Sequence, residues 1–203
     1  MTAGSTKRTL VLAGARDSFL ARGFDGASMD DIAAAAGVSK QTVYAHFGSK
    51  ADLFLAFAED LIGTRVRAQA VAAPLPAPEG DPGPVLLGHA REQLSTATSR
   101  DLMRLRRLAI AEAERFPDFG RRVFEAGAGS SISRLEAALT AWHHAGRLHV
   151  ADPARSAALF NWMLMGGPTS EAMLLGRTSV DDAAGLEAHA AECVRVFLSA
   201  HRS

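Results

Sequence analysis

Residues 28–50, SMDDIAAAAGVSKQTVYAHFGSK, constrain the fold of this 203-residue chain more than any other stretch. Ser28 and Ser39 are each placed to cap a helix, because a serine hydroxyl there accepts a backbone N–H from the first turn. Between the two predicted helices, Gly37 supplies the left-handed residue that ends the first. Two helices joined by a short glycine-containing turn form a helix-turn-helix, whose second helix enters the major groove of DNA. The stretch therefore predicts a DNA-binding head.

The side chains of the second predicted helix divide into an inner and an outer set. Val43 and Phe47 lie four residues apart and face inward, which leaves the polar residues around them outside. Gln41 can offer a donor and an acceptor to adenine, and Lys40 can reach guanine or phosphate. Lys50 falls in the first turn of the next helix, where unpaired backbone N–H groups favour a phosphate. The residues predicted to contact DNA are Ser28, Ser39, Lys40, Gln41, Thr42, Tyr44, His46 and Lys50.

A longer set of spaced matches covers roughly the first quarter of the chain, and it resembles the N-terminal signature of the TetR (tetracycline-repressor-like) transcriptional regulators. The matching residues are Phe19, Gly23, Phe24, Ser28, Met29, Ile32, Ala33, Ala36, Gly37, Val38, Ser39, Thr42, Val43, Tyr44, His46, Phe47, Lys50 and Leu53. Gly14 and Ser18 depart from the pattern, since the family usually has alanine and an apolar residue there. The resemblance implies that Tyr44, His46 and Lys50 contact the DNA backbone. For Tyr44 and His46 an alternative stays open, in which their rings pack on the three-helix core.

The distribution of charge has the sign that DNA binding requires, although the whole chain is balanced with 22 basic and 22 acidic residues. Residues 1–50 hold six Lys or Arg against four Asp or Glu, and every lysine of the protein lies there. The single cysteine, Cys193, excludes an intramolecular disulfide and suits a reducing compartment. Neither a signal peptide nor an uninterrupted apolar run of about 18 residues is visible. We therefore expect a cytoplasmic protein with no membrane partner.

The rest of the chain carries helical patterns only, and no alternating strand signature is found. We predict an all-α fold of about nine helices: a DNA-binding domain at 1–52 and a helical effector-binding and dimerisation domain at 53–203. Residues 73–84 hold five of the eight prolines and are predicted to be a loop. Residues 166–168, Gly-Gly-Pro, are predicted to bend or interrupt the penultimate helix. The last helix is expected to be capped by Ser179 with Asp182.

The last two helices predict a homodimer. Residues 154–175 are apolar on nearly every face, so that helix must be buried on every face. The final helix adds a stripe from Leu186 to Phe197, and one small domain would not comfortably absorb both. We expect two helices from each subunit to form a four-helix interface. The alternative is that both helices pack inside one subunit.

The resemblance implies a small-molecule effector that releases the protein from a palindromic operator, as in a repressor. The residues predicted to line its site are Phe116, Phe119, Trp142, Phe160, Trp162 and Met163. Each could equally be ordinary core. No catalytic constellation or cofactor motif is found, so we expect neither an enzyme nor a bound cofactor. His143, His144, His149 and Asp152 cluster near a helix end, but without a metal-binding motif we expect no metal there. The competing hypothesis is a helical small-molecule-binding protein without DNA-binding activity.

Overall fold

The computed structural model describes residues 3–71, 75, 80–177, 179–180 and 182–202, and within these ranges every regular element is a helix. The elements are α1 (Ala3–Gly26), α2 (Met29–Ala35), α3 (Lys40–Phe47), α4 (Lys50–Val71), α5 (Pro82–Ala97), α6 (Arg100–Ala111), α7 (Pro117–Phe124), a π-helical turn (Glu125–Gly129), α8 (Ser130–His144), α9 (Pro153–Leu174) and α10 (Ala183–His201). The all-α prediction is confirmed. The π-helical turn follows α7 directly and leads into α8 without a loop.

The chain packs into two compact units. The first combines Met1–Ala70 with Arg104–Val123, and the second combines Val71–Met103 with Phe124–Ser203. The first unit therefore draws on two separated stretches of sequence. The predicted assignment of functions to 1–52 and 53–203 stays a prediction.

Aromatic rings form the core of the first unit. Phe19 of α1 meets Phe54 of α4 edge to face, with 5.1 Å between ring centroids. Phe54 also contacts Phe116 at 4.9 Å and Phe119 at 5.1 Å. Such pairs add to the stabilisation that burial of the rings already provides. They tie α1 and α4 to α7 and the turn before it.

Gly14 explains one departure from the TetR pattern. It lies where α1 crosses α2, and a β-carbon built there would stand 3.2 Å from the carbonyl oxygen of Ile32 and 3.3 Å from the amide nitrogen of Ala36. An added methyl group would press on the backbone of α2. The glycine therefore serves close helix packing, which offsets its low helix propensity.

The second unit has an apolar core formed by α5, α8, α9 and α10. Trp142 and Phe160 are almost completely buried, and Phe160 meets Phe197 edge to face at 5.1 Å. The predicted stripe of α10 is confirmed, since Ala190, Cys193, Val194 and Phe197 all lie in this core. None of the helices that the structure describes is long and apolar enough to cross a membrane.

Several helix boundaries differ from the predictions. α5 begins at Pro82, because Asp81 caps it through Gly83 N–H and proline is tolerated at the first helical position. Residues 82–84 of the predicted loop are therefore helical, and residues 73–74 and 76–79 lie outside the described residues. Asp182, rather than Ser179, caps α10.

The penultimate helix is not interrupted at residues 166–168, because α9 continues through Pro168, and the alternative of a bend stays a prediction. The carbonyl of Leu164, which loses its intrahelical N–H partner to the proline, is hydrogen-bonded by a side chain of α10 instead.

Candidate nucleic-acid interface

Two serine caps define where α2 and α3 begin, and both predictions of capping are confirmed. Asp31 N–H donates to Ser28 Oγ at 3.0 Å, and Thr42 N–H donates to Ser39 Oγ at 3.2 Å. Each bond satisfies a donor that the first turn of a helix leaves unpaired. The two hydroxyls thereby fix the start of the predicted recognition helix, α3.

The turn between α2 and α3 is closed by backbone hydrogen bonds around a left-handed glycine. Gly37 has φ +65°, a value that costs other residues strain. Its N–H donates to Ala34 O, and Val38 N–H donates to Ala33 O, each at 3.1 Å. This pair of bonds is a Schellman motif, which satisfies the last carbonyls of α2. The angle between the helices is thus held by the backbone itself.

One face of α3 is buried in the head, and the other is exposed to solvent. Val43 and Phe47 are buried, as predicted, and the guanidinium of Arg8 lies 5.5 Å from the centre of the Phe47 ring. Gln41 and Tyr44 are exposed, as are Lys40 and His46 on the same short helix. Thr42 is half-buried, and its hydroxyl lies 2.9 Å from that of Ser39. Polar groups of several kinds therefore project from a rigid helix.

Lys40 already has an anionic partner on α2. Its ammonium lies 2.9 Å from a carboxylate oxygen of Asp30, and that hydrogen bond and charge raise the pKa of Lys40. Both side chains are more than half exposed, so water and salt weaken the pair. A DNA phosphate or a guanine edge can therefore compete with Asp30 for the lysine.

Lys50 is held against the end of α1. Its ammonium donates to the carbonyl oxygen of Asp25 at 3.2 Å and lies 4.7 Å from the centre of the Phe24 ring. Ser49 caps α4 beneath it by accepting Asp52 N–H at 3.1 Å. The first turn of α4 thus brings a cation and the positive end of a helix dipole to the same place.

The structure adds two residues that sequence reasoning missed, Glu112 and Arg115, which follow α6. Phe24 N–H donates to a carboxylate oxygen of Glu112 at 3.4 Å, and the guanidinium of Arg115 binds Asp25 at 2.9 Å. Arg115 also lies 4.2 Å from the centre of the Phe24 ring, on which Lys50 also rests. The two residues lie about 90 positions along the chain from their partners, so no local sequence pattern predicts these contacts. Glu112 and Arg115 thus bind the Phe24–Asp25 segment, which Lys50 also contacts.

The six predicted effector residues are divided between the two compact units. Phe116 and Phe119 belong to the aromatic core of the first unit, around Phe54. Trp142 and Phe160 lie in the core of the second unit, and Met163 packs against it. Trp162 is 53% exposed on α9.

A cleft of about 530 Å³ elsewhere in the second unit runs between α5 and the start of α10, and its wall includes the ion pair of Arg91 with Glu187. The effector assignment stays a prediction.

The histidines near the end of α8 form a ring cluster. The centroid of His143 lies 5.9 Å from that of His144 and 6.0 Å from that of His149, and His143 Nδ1 accepts Val150 N–H at 3.3 Å. In the described part of the chain, no three His, Cys, Asp or Glu side chains group closely enough to hold a metal ion.

Capped helices, a closed turn and an exposed polar face on the second helix together define a helix-turn-helix DNA-binding protein. Comparison with known proteins narrows the class. Residues 11–57 match the family model described as bacterial regulatory proteins, tetR family, and residues 84–203 match that of the AefR-like transcriptional repressor, C-terminal domain. The chain belongs to the TetR family, and it is a DNA-binding transcriptional regulator.

Similar proteins of known structure extend over the whole chain. A TetR-family transcriptional regulator from Mesorhizobium loti MAFF303099 is 30% identical, with all of both chains covered and a TM-score of 0.76. The flavonoid-responsive regulator FrrA is 32% identical, with 97% of each chain covered and a TM-score of 0.73. The transcriptional activator FasR of Mycolicibacterium smegmatis is 48% identical over 50 residues, which are 25% of this chain and 23% of FasR.

Proposed function

We propose that this protein is a repressor that binds a palindromic operator as a homodimer and leaves it when a small molecule binds the helical second unit. The observation that carries the proposal is the exposed face of α3, where Lys40, Gln41 and Tyr44 project from a helix fixed by Ser39 and Phe47. The family description of residues 84–203 favours repression. FasR is an activator, but its match covers 50 residues only. Such a regulator acts on DNA in the cytoplasm.

The contacts to DNA divide by chemistry. Gln41 reads a base edge, because its amide offers the donor and acceptor that adenine presents in the major groove. Lys40 exchanges Asp30 for guanine or phosphate, and Lys50 holds a phosphate at the first turn of α4. Tyr44 and His46, both exposed, contact the DNA backbone. Ser28 and Ser39 contribute by capping α2 and α3, and Thr42 lies at the edge of the DNA-binding surface.

The homodimer is supported by an exposed apolar stripe on α9. Leu159 is 62% exposed, Trp162 53% and Leu174 87%. With Gly166 and Ser170 between them at helical spacing, they form one face, and the small residues permit a close approach of another helix. Solvent exposure of so much apolar surface is unfavourable, and a second copy that covers α9 and α10 would remove it. Two-fold symmetry would then present two α3 helices to successive major grooves, roughly 34 Å apart.

The effector is proposed to be a small, largely apolar molecule. FrrA is described as flavonoid-responsive, and this chain is 32% identical to it over almost its entire length, so a planar phenolic compound is a reasonable first candidate. Trp142, Phe160 and Met163 would contribute apolar wall in the second unit. Phe116 and Phe119 contact Phe54 of α4 in the first unit.

The DNA experiment uses the fragment just upstream of this protein's own coding region, titrated at several salt concentrations. Tight binding that weakens steeply with salt, and that the double variant Gln41→Ala/Tyr44→Ala loses, would support the proposal. The matched control is Glu92→Ala, which changes an exposed residue of α5 in the second unit. If the wild type shows only weak binding, indifferent to the head substitutions, on this fragment and in a selection of genomic fragments, a helical ligand-binding protein without DNA activity replaces our proposal.

The dimer is tested by light scattering on the purified chain. Leu159→Glu combined with Trp162→Glu should convert a dimer into a monomer, because it places charge in the proposed interface. Ile110, on α6, is 63% exposed, and Ile110→Glu should leave the dimer intact. A wild-type monomer at micromolar concentration would contradict this part of the proposal.

A further inference from the structure

A buried histidine of the second unit has one ring nitrogen without a partner. His89 lies on the inner face of α5 and is 3% exposed. Its Nε2 lies 3.0 Å from the amide nitrogen of Gln93 and 3.4 Å from Ser131 Oγ. Since an amide nitrogen can only donate, Nε2 accepts and the ring proton resides on Nδ1. In the described residues, no group accepts that proton.

The surroundings of His89 favour the uncharged form of its imidazole ring. Burial and the nearby positive charge of Arg134 lower the pKa of His89 to about 4. The ring is therefore uncharged at neutral pH and offers a single N–H donor at Nδ1. A buried donor left unpaired costs roughly 1–3 kcal/mol. Its retention in a core calls for an acceptor that the described residues do not supply.

A second buried polar group in the same unit is also unsatisfied. Asn161 on α9 is 2% exposed, and neither its amide oxygen nor its amide nitrogen has a partner in the described structure. It occupies the inner face of α9 with Phe160 and Leu164, and α9 packs against both α5 and α8. A primary amide needs one donor and one acceptor, which a hydroxyl group can provide together.

Apolar side chains and an irregular helix accompany these groups. Leu86 and Ala90 on α5 and Leu135 on α8 are almost completely buried. The chain reaches Ser131 through the π-helical turn Glu125–Gly129, and such turns are frequent at functional sites. The combination is a largely apolar interior with a few oriented polar groups, which is the usual character of a small-molecule site.

We propose that His89, flanked by Ser131 and Arg134, is the polar anchor of an interior site for an apolar weak acid, whose anionic oxygen accepts the Nδ1 proton. This inference rests on the proposed function, because it assigns a chemical class to the effector of that function. Arg134 provides favourable charge for the anion, and Asn161 pairs with a hydroxyl elsewhere on the molecule. The apolar body of the acid contacts the leucines around them.

The test measures binding to the full chain without DNA, by calorimetry and by the fluorescence of the protein's two tryptophans. The probes are 4-hydroxycinnamate, salicylate and octanoate, and the comparison probe is methyl 4-hydroxycinnamate, which lacks the carboxylate. We expect at least one acid to bind, and expect the ester to bind at least tenfold more weakly than 4-hydroxycinnamate if that acid binds. His89→Phe should weaken binding of the acid at least tenfold, whereas His89→Gln, which keeps an N–H donor, should retain most of it.

The matched control is His144→Phe, because His144 is an exposed histidine of α8. It should bind the acid as the wild type does. Circular dichroism establishes that each variant is folded, and Ser131→Ala serves as the second variant if His89→Phe is not. The proposal is overturned if none of the three acids binds, if the ester binds as well as its acid, or if folded His89→Phe, or Ser131→Ala in its place, binds as the wild type does. Since the assay contains no DNA, failure here is separate from failure of the operator-binding experiment.

Discussion

His189 Nε2 lies 2.9 Å from the carbonyl oxygen of Leu164, the one carbonyl of α9 whose intrahelical donor is removed by Pro168. The imidazole of α10 thus takes the place of a backbone N–H of α9. Cys193, one turn along α10, extends the contact, since its Sγ lies 3.8 Å from the carbonyl oxygen of Met163. Burial raises the pKa of the Cys193 thiol, which keeps it protonated and able to donate.

Replacing His189 tests whether this bond permits α9 to remain continuous. His189→Leu should lower the free energy of unfolding by about 1–3 kcal/mol, because it leaves the Leu164 carbonyl unpaired. His189→Gln, which retains a side-chain N–H, should recover part of the loss. Urea unfolding followed by circular dichroism measures both. An unchanged stability in His189→Leu would mean that water replaces the imidazole at no cost.

Gln41→Ala and Lys50→Ala should affect DNA binding in different ways. Loss of Gln41 should cost about 1–3 kcal/mol on the operator and little on unrelated DNA, since it removes a base contact. Loss of Lys50 should weaken binding to every sequence and reduce the salt slope by about one per head, because it removes a phosphate contact. Fluorescence anisotropy on operator and scrambled duplexes at several salt concentrations separates the two. Equal losses on both duplexes for both variants would contradict the division.

His89 makes stability depend on pH. Its pKa falls from the ordinary 6.5 to about 4 in the folded chain, so the unfolded chain binds the additional proton between these values. The histidine therefore has no effect on stability above about pH 6.5 and lowers it as the pH falls, by about 3 kcal/mol at pH 4. Urea unfolding at half-unit intervals should show this slope in the wild type and a shallower one in His89→Gln. Identical slopes would argue against burial of a neutral imidazole.

Ser18 should be an unfavourable residue for stability. Its hydroxyl is buried and has no hydrogen-bond partner in the described structure, at a position where the TetR pattern favours an apolar residue. Ser18→Ala should raise the free energy of unfolding by about 1 kcal/mol. Ser199→Ala is the control, because that hydroxyl is exposed and donates to Val196 O, and its removal should change little. A destabilised Ser18→Ala would show that the hydroxyl has a partner after all, such as a bound water.

Sequence reasoning succeeded where the information is local. The caps at Ser28 and Ser39, and the left-handed Gly37, each depend on a few neighbouring residues, and each is confirmed. It failed where distant residues intervene. A proline in mid-helix predicts a bend or a break at Pro168, but α9 is continuous there, and the carbonyl of Leu164 is bonded by His189, which lies 25 residues away.

In the candidate site, too, the sequence predicts local features but not contacts between distant residues. The exposed face of α3 follows from helical spacing, so Gln41 and Tyr44 could be named before the structure. The clamp formed by Glu112 and Arg115 on Phe24 and Asp25 joins positions about 90 apart, and no periodicity indicates it. His89 was not singled out at all, because a lone histidine on an apolar face usually signals only packing.

The first compact unit consists of Met1–Ala70 and Arg104–Val123, and this composition determines how the DNA-binding head can be moved into another protein. A fragment that ends at residue 70 would lack Phe116 and Phe119 and would expose the ring of Phe54 that they cover. A working chimera must therefore exchange both stretches together, with three junctions, after residue 70, before residue 104 and after residue 123, rather than a single cut after the fourth helix. The unit of modular exchange in this regulator is discontinuous, and recombination at a single crossover would divide it.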